Sequence, residues 1–173
     1  MKNKGAYILF FAVVVALQIL VLNHISVSVY AAPVVYAVLI VMMPLETSQF
    51  AMLMVGLALG LSMDATMGVE GLNTLATLPV AFFRRSILHL TADLSGLVKI
   101  EGVPSAERLG RFRFHRYTIV TMLLHETIFF SMEWLSFNNI GFFIARLLCS
   151  TAVSLAIAYL LIYIFTPKLS CKS

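Results

Sequence analysis

Charged side chains are scarce in this sequence, since they make up 12% of its 173 residues while hydrophobic residues make up 61%. A typical soluble domain carries about 25% charged residues. A water-soluble fold of this length cannot bury so much apolar surface, because small domains keep a large fraction of their surface exposed. The same composition excludes a disordered chain and a nucleic-acid-binding domain. The class that remains is an integral membrane protein, whose partner is the lipid bilayer.

The sequence also lacks the patterns that carry chemistry. It contains no nucleophile elbow, Walker loop or Ser-x-x-Lys motif. Its two cysteines and four histidines show no disulfide framework and no metal-ligand spacing; they are Cys149, Cys171, His24, His89, His115 and His125. We therefore expect a protein that is not an enzyme and that holds no cofactor or metal.

Six apolar runs predict about six transmembrane helices. They cover residues 6–22, 27–43, 49–63, 72–83, 118–135 and 140–165. A crossing needs about 20 residues, and the short fourth run can continue past Arg84 and Arg85 if these side chains snorkel. Pro33 lies inside the second run and is expected to kink that helix or to mark its start. The prediction is an all-α, polytopic membrane protein in which residues 1–173 form a single transmembrane domain.

The only long polar stretch covers residues 86–116. In its first half, apolar residues recur at steps of three and four, which predicts a helix that lies along the membrane surface. Its second half is rich in arginine, which favours contact with anionic headgroups, with a cytoplasmic protein partner as the alternative. If the N-terminus is cytoplasmic, six crossings place 11 of the 12 Lys and Arg residues on the cytoplasmic side. We therefore predict that both termini and the 86–116 loop are cytoplasmic.

Two glycines and an aspartate form a stripe on the third predicted helix. Gly56, Gly60 and Asp64 follow one another at steps of four, so they lie on nearly one face. Small residues let two helix backbones approach closely in lipid. The stripe therefore predicts a close contact that positions Asp64 at the outer end, made within the bundle or with a partner. The alternative is a glycine-rich helix that ends in a solvated aspartate.

Three ionisable residues lie within the last two predicted helices, namely Glu126, Glu133 and Arg146. Such a group costs several kcal/mol in hydrocarbon unless it is paired or hydrated. Arg146 is expected to pair with Glu133, with Asp64 as the second choice, and a structural tie is favoured over an ion path. Glu126 has no obvious basic partner, so it is protonated, bonded to His125 or to a hydroxyl, or functional.

The sequence resembles the family of the rod-shape-determining protein MreD in three segments. These are residues 17–25, then Gly56, Gly60 and Asp64 with Gly68, Gly71 and Asn73, and lastly the stretch from His125 through Glu133 to Arg146. The family has a similar glycine-rich helix that ends in Asp, followed by a glycine loop and a Gly-x-Asn that opens the next helix. The resemblance is thin between residues 86 and 115.

The resemblance implies a non-enzymatic scaffold of the bacterial cell-elongation complex in the inner membrane. Such a protein is expected to bind MreC, a single-span protein, and to act with MreB, RodA and a transpeptidase in lateral peptidoglycan synthesis and cell shape. The implied fold is similar to the six-helix substrate-binding subunits of energy-coupling-factor transporters. A small-molecule transport subunit that binds a vitamin-like ligand is the alternative, although a ligand cup needs several convergent polar groups and the outer loops supply few.

Overall fold

The structure is a computed structural model, and it describes residues 4–22, 32–69, 71–92, 102–133 and 140–170. The described residues form helices and connecting turns, with no strand among them. The α-helices are α1 (Lys4–Leu17), α2 (Val38–Val41), α3 (Gln49–Met67), α4 (Leu72–Ala92), α5 (Ala106–Leu109), α6 (Arg111–Glu133) and α7 (Ile140–Ser170). A π-helical turn, Gln18–Leu22, continues α1. The prediction of an all-α fold is confirmed for the described residues.

Three stretches of helix are long and apolar enough to cross a membrane: Gly5–Leu22, Gln49–Met67 and Ile140–Pro167. Helices α4 and α6 have 21 and 23 residues, which matches the length of a crossing. They differ from the three apolar helices in their charge, because α4 contains Arg84 and Arg85 and α6 begins with an arginine-rich turn.

Helix α4 lies at the centre of the packing. It forms a hairpin with α3 and also packs against α6, which in turn contacts α7. Helix α7 closes the bundle against α1, where the rings of Phe10 and Phe165 lie 5.0 Å apart. The N-terminus of α3 is capped by Ser48, whose hydroxyl accepts a hydrogen bond from the Ala51 N–H.

The second apolar run does not form the helix that its composition predicts. Among its described residues only Val38–Val41 are α-helical, and residues 32–35 have no regular structure. Residues 27–31 lie outside the described part of the chain. Residues 33–42, here called the buried segment, are all buried. An irregular stretch therefore runs through the interior of the bundle.

Side chains from two other helices make hydrogen bonds with the backbone of the buried segment and of Ala32, which precedes it. Ser150 and Ser154 on α7 accept hydrogen bonds from the N–H groups of Ala32 and Val34, at 3.0 and 2.9 Å. Gln18 accepts from the Val35 N–H at 2.8 Å, and its amide donates to the Pro33 carbonyl at 3.2 Å.

These bonds are the physical reason for the departure from a helix. Pro33 has no N–H to give to a helix, and the neighbouring N–H groups have found side-chain acceptors instead. Irregular backbone at membrane depth is tolerated where protein buries it and supplies its hydrogen bonds. The side chains of Gln18, Ser150 and Ser154 therefore replace the backbone partners that a helix would have supplied.

The polar stretch 86–116 is divided between two long helices. Its first seven residues belong to α4, which continues past Arg84 and Arg85 to Ala92, and its last six begin α6 at Arg111. Residues 93–101 lie outside the described part of the chain. The connection between α4 and α6 contacts the turn that precedes α3. The Gly102 carbonyl accepts a hydrogen bond from the Leu45 N–H, and the Gly102 N–H donates one to the Glu46 carboxylate.

Replacing Ser154 by alanine tests the support of the buried segment. Ser154→Ala leaves the Val34 N–H without its acceptor in the interior, so we expect a loss of about 1–3 kcal/mol in the free energy of unfolding. The measurement is unfolding in mixed micelles followed by circular dichroism. Ser62→Ala is the control, because the exposed Ser62 hydroxyl bonds only to its own helix at Ala58. Equal stability of the two variants would contradict this role for Ser154.

Candidate functional site

The glycine stripe of α3 packs against α4 within the same bundle. A Cβ atom at position 56 would lie 2.8 Å from the Cβ of Ala81, and one at position 60 would lie 2.5 Å from the Cα of Thr74. Real Cβ atoms do not approach other atoms so closely, so both positions require glycine unless a helix moves. Close approach of two backbones is the use of small residues that is expected in lipid. The contact that the stripe makes is thus internal to the chain.

Asp64 ends this stripe and caps the N-terminus of α4. One carboxylate oxygen accepts from the Asn73 N–H at 2.7 Å, and the other accepts from the N–H and hydroxyl of Thr74 at 3.1 and 2.6 Å. The carboxylate satisfies N–H groups that have no helical partner and faces the positive end of the α4 dipole. Asp64 is 8% exposed, so it is buried and not the solvated aspartate of the alternative interpretation.

The two loop glycines let the chain turn from α3 into α4. Gly68 has φ +65° and donates its N–H to the Asp64 carbonyl, which ends α3 with a left-handed residue. Gly71 has φ +81° and lies immediately before α4. Both conformations strain any residue that has a Cβ. These glycines therefore serve the short path that brings Asp64 over the start of α4.

A polar cluster lies where α4 and α6 meet the buried segment, and it consists of Tyr36, Asn73, Thr77 and His125. The Tyr36 hydroxyl donates to the Asn73 side-chain oxygen at 3.0 Å, and it lies 3.1 Å from His125 Nε2 and 3.3 Å from the Thr77 hydroxyl. All four side chains are fully buried. The Tyr36 cluster thus links three elements through one hydroxyl group.

Glu126 faces α7, away from its neighbour His125. Its carboxyl accepts a 2.6 Å hydrogen bond from the Thr151 hydroxyl, and the side chain is fully buried. Of the predicted alternatives, the structure shows the bond to a hydroxyl. The second carboxyl oxygen of Glu126 and the Nδ1 atom of His125 make no hydrogen bond within the described part of the chain.

Arg146 forms an ion pair with Glu133, which is the pairing that the sequence favours. The two side chains meet at 3.1 Å, and they are 20% and 37% exposed. The guanidinium also lies over the ring of Phe130, 5.1 Å from its centre. A partly exposed pair of this kind contributes little, about 1 kcal/mol or less. The pair ties α6 to α7, as the predicted structural tie requires.

Arg84 is a buried cation that sequence reasoning places at the surface. Its side chain is 3% exposed, donates to the Tyr117 hydroxyl at 3.0 Å, and donates to the carbonyls of Met43 and Pro44. These carbonyls follow the C-terminus of α2, and Tyr117 donates to the Val41 carbonyl of the same helix. The arginine therefore does not snorkel; it satisfies the carbonyls of the two residues that directly follow the buried segment.

The three segments that resemble the MreD family converge on the buried segment. Gln18 from the first binds Pro33 and Val35, while Asn73 from the second and His125 from the third both contact Tyr36. Residues 23–25 of the first segment lie outside the described residues. The sequence offered a reason to expect an interior contact for Gln18, since an amide inside an apolar run needs a hydrogen-bond partner. It offered no such reason for Tyr36 and Thr77.

The contacts of these side chains hold the fold together. No group of His, Cys, Asp or Glu that suits a metal ion occurs among the described residues. Comparison with protein-family models, with curated proteins and with solved structures finds no match.

Adding one methyl group at Gly60 tests the α3–α4 contact. Gly60→Ala places a Cβ against the Thr74 backbone, so we expect a loss of about 1–3 kcal/mol in unfolding free energy as the helices separate. Unfolding in mixed micelles is again the measurement. Leu61→Ala is the matched control, because Leu61 is 54% exposed. The other neighbour of Gly60, Leu59, is buried and so cannot serve as a control. An unchanged Gly60→Ala variant would show that the helices are not in close contact.

Proposed function

We propose that the protein is a non-enzymatic scaffold of the bacterial cell-elongation complex in the inner membrane. It binds an MreC-like single-span protein and acts with MreB, RodA and a transpeptidase of the complex. The observation that carries the proposal is the convergence of the three family-like segments on the buried segment. Residues that resemble the family in the sequence meet around one structural element, so they act as the framework of a shared fold.

The use of these residues favours a scaffold over a catalyst. Asp64 and Asn73 direct their polar atoms to the start of α4 and to Tyr36. The space beside Gly56 and Gly60 is filled by residues of α4. A side chain that already holds the fold is poorly placed to bind a changing substrate. Partner binding is left to the outer faces of the helices, where packing provides the affinity.

The alternative transport subunit would need a ligand cup at the outer end. Asp64 and Asn73 are the described polar side chains expected there, and both are engaged within the fold. The remaining candidates, Asn23, His24, Glu70, Asn138 and Asn139, lie outside the described residues. The internal bonds of Asp64 and Asn73 support the scaffold as the better proposal.

We further propose a six-span topology with both termini in the cytoplasm, similar to the substrate-binding subunits of energy-coupling-factor transporters. Helices α4 and α6 supply two crossings beyond the three apolar helices. The stretch 27–43 supplies the sixth, in which the hydrogen bonds from Gln18, Ser150 and Ser154 support the non-helical part. The excess of Lys and Arg at one end supports the orientation.

Cysteine labelling in intact cells tests this topology. In a background with Cys149 and Cys171 replaced by serine, a membrane-impermeant maleimide should label Asn138→Cys and miss Glu107→Cys. Glu107 is exposed and so reports the loop well, whereas the neighbouring Ser105 is buried. Permeabilised cells provide the control, since both sites should then react. Labelling of Glu107→Cys in intact cells would overturn the topology.

Purification of the tagged protein from its own cells in mild detergent tests the proposed function. We expect mass spectrometry to identify an MreC-like single-span protein in near-stoichiometric amount. An unrelated multi-span protein of the same membrane, tagged and expressed at the same level, is the control. Depletion of the protein should also round the cells. Recovery of an ATPase module in place of the MreC-like protein, with cell shape unchanged, would favour the transport subunit.

A further inference from the structure

An apolar groove lies between the first half of α1 and the first half of α3. Its volume is about 730 Å³, within the ~300–1,000 Å³ of small-molecule sites. Its two helical walls consist of Tyr7, Ile8, Phe11, Ala12, Ala51 and Val55. Met43 and Pro44, which follow the buried segment, also line the groove. The groove therefore offers an apolar chain a shaped surface between two helices.

A smaller polar pocket adjoins the groove at the turn before α3. Its volume is about 200 Å³, and its lining includes Gln49, Arg84 and Arg85. Residues 46–48 line both cavities, so the groove and the pocket share an edge. Met52 and Leu88 also line the smaller pocket, so its lining is mixed, whereas that of the groove is almost wholly apolar. An apolar groove next to a pocket with charged side chains suits an amphipathic ligand.

The charges around the polar pocket suit a phosphate group. Arg84 is buried and Arg85 is exposed. Neither of them takes part in the ion pair that the structure shows between Arg146 and Glu133. The guanidinium of Arg84 is bonded to carbonyls and to Tyr117, which leaves Arg85 to bind an oxyanion directly. Arginine is well suited to phosphate because its fork of N–H groups binds two oxygens at once.

Glu46 adds a negative charge to the same rim. It is exposed, and one of its oxygens accepts a 2.6 Å hydrogen bond from the Gly102 N–H. A carboxylate that lines the same pocket as two arginines fits a headgroup that carries both an anionic phosphate and a cationic amine. A purely anionic headgroup would meet repulsion from Glu46.

We propose that the groove and the polar pocket together bind one molecule of phosphatidylethanolamine. One of its two acyl chains lies in the groove and the other in the surrounding bilayer, while its phosphate faces Arg85 and its amine faces Glu46. A transmembrane helix of a partner would fill the apolar groove but would leave the charge of the two arginines unneutralised. The phospholipid satisfies both compartments, and for that reason it is the better occupant.

Native mass spectrometry of the detergent-solubilised protein, titrated with dioleoyl-phosphatidylethanolamine, tests the polar half of the site. We expect one tightly bound lipid, with affinity reduced about tenfold or more in Arg85→Ala. Arg113→Ala is the matched control, because Arg113 is an exposed arginine in the first turn of α6. Glu46→Gln should remove the preference for this lipid over dioleoyl-phosphatidylglycerol. Equal losses in Arg85→Ala and Arg113→Ala would overturn the proposal.

Filling the groove tests its apolar half. Ala51→Phe should abolish the tight binding, whereas Ala58→Phe, at an exposed position of the same helix, should preserve it. Ala12→Phe narrows the groove from the opposite wall and gives the same test if Ala51→Phe does not fold. The proposal fails if folded groove variants keep the lipid, if inorganic phosphate competes as well as the lipid does, or if a single-span protein occupies the groove instead.

Discussion

The hydrogen bonding of the buried segment is the constraint on which the rest of the structure depends. An irregular backbone inside an apolar bundle has N–H and C=O groups that lipid cannot satisfy, and each one left unpaired is costly. Gln18 supplies both a donor and an acceptor to residues 33 and 35, and Ser150 and Ser154 supply acceptors to residues 32 and 34. Arg84 satisfies carbonyls at the other end. Helices α1, α4 and α7 are thereby held in register with one another by a segment that is itself barely helical.

The same segment determines where the glycine stripe lies. Tyr36 reaches Asn73 at the start of α4, and Asn73 in turn donates its N–H to Asp64 at the end of α3. The stripe of Gly56 and Gly60 allows α3 to lie close enough for that capping bond, so packing and capping support each other. A change at either glycine thus acts on Asp64, Asn73 and Tyr36 together, because residues that share one network are coupled.

Features that depend on local pattern were accessible from the sequence, and features that depend on long-range contacts were not. The apolar runs predicted the long helices, and the spacing of Gly56, Gly60 and Asp64 predicted one packed face. Pro33 marked the right place for a break, but the extent of the break depends on Ser150 and Ser154, which are more than a hundred residues away along the chain. Arg84 resembled any arginine at a membrane interface, and only the fold brings the end of α2 within its reach.

These contacts give the polar groups of the interior and those of the surface different roles. The polar side chains of the interior mostly bind the chain itself, so they make the bundle rigid and leave little with which to recognise another molecule. Glu46 and Arg85 are exposed, and both line the pocket that adjoins the apolar groove. Arg84 connects the two regions. It donates hydrogen bonds to the carbonyls of Met43 and Pro44, and both of these residues line the groove. The shape of the outer surface at this groove is therefore set by the same hydrogen bonds that keep the buried segment in place.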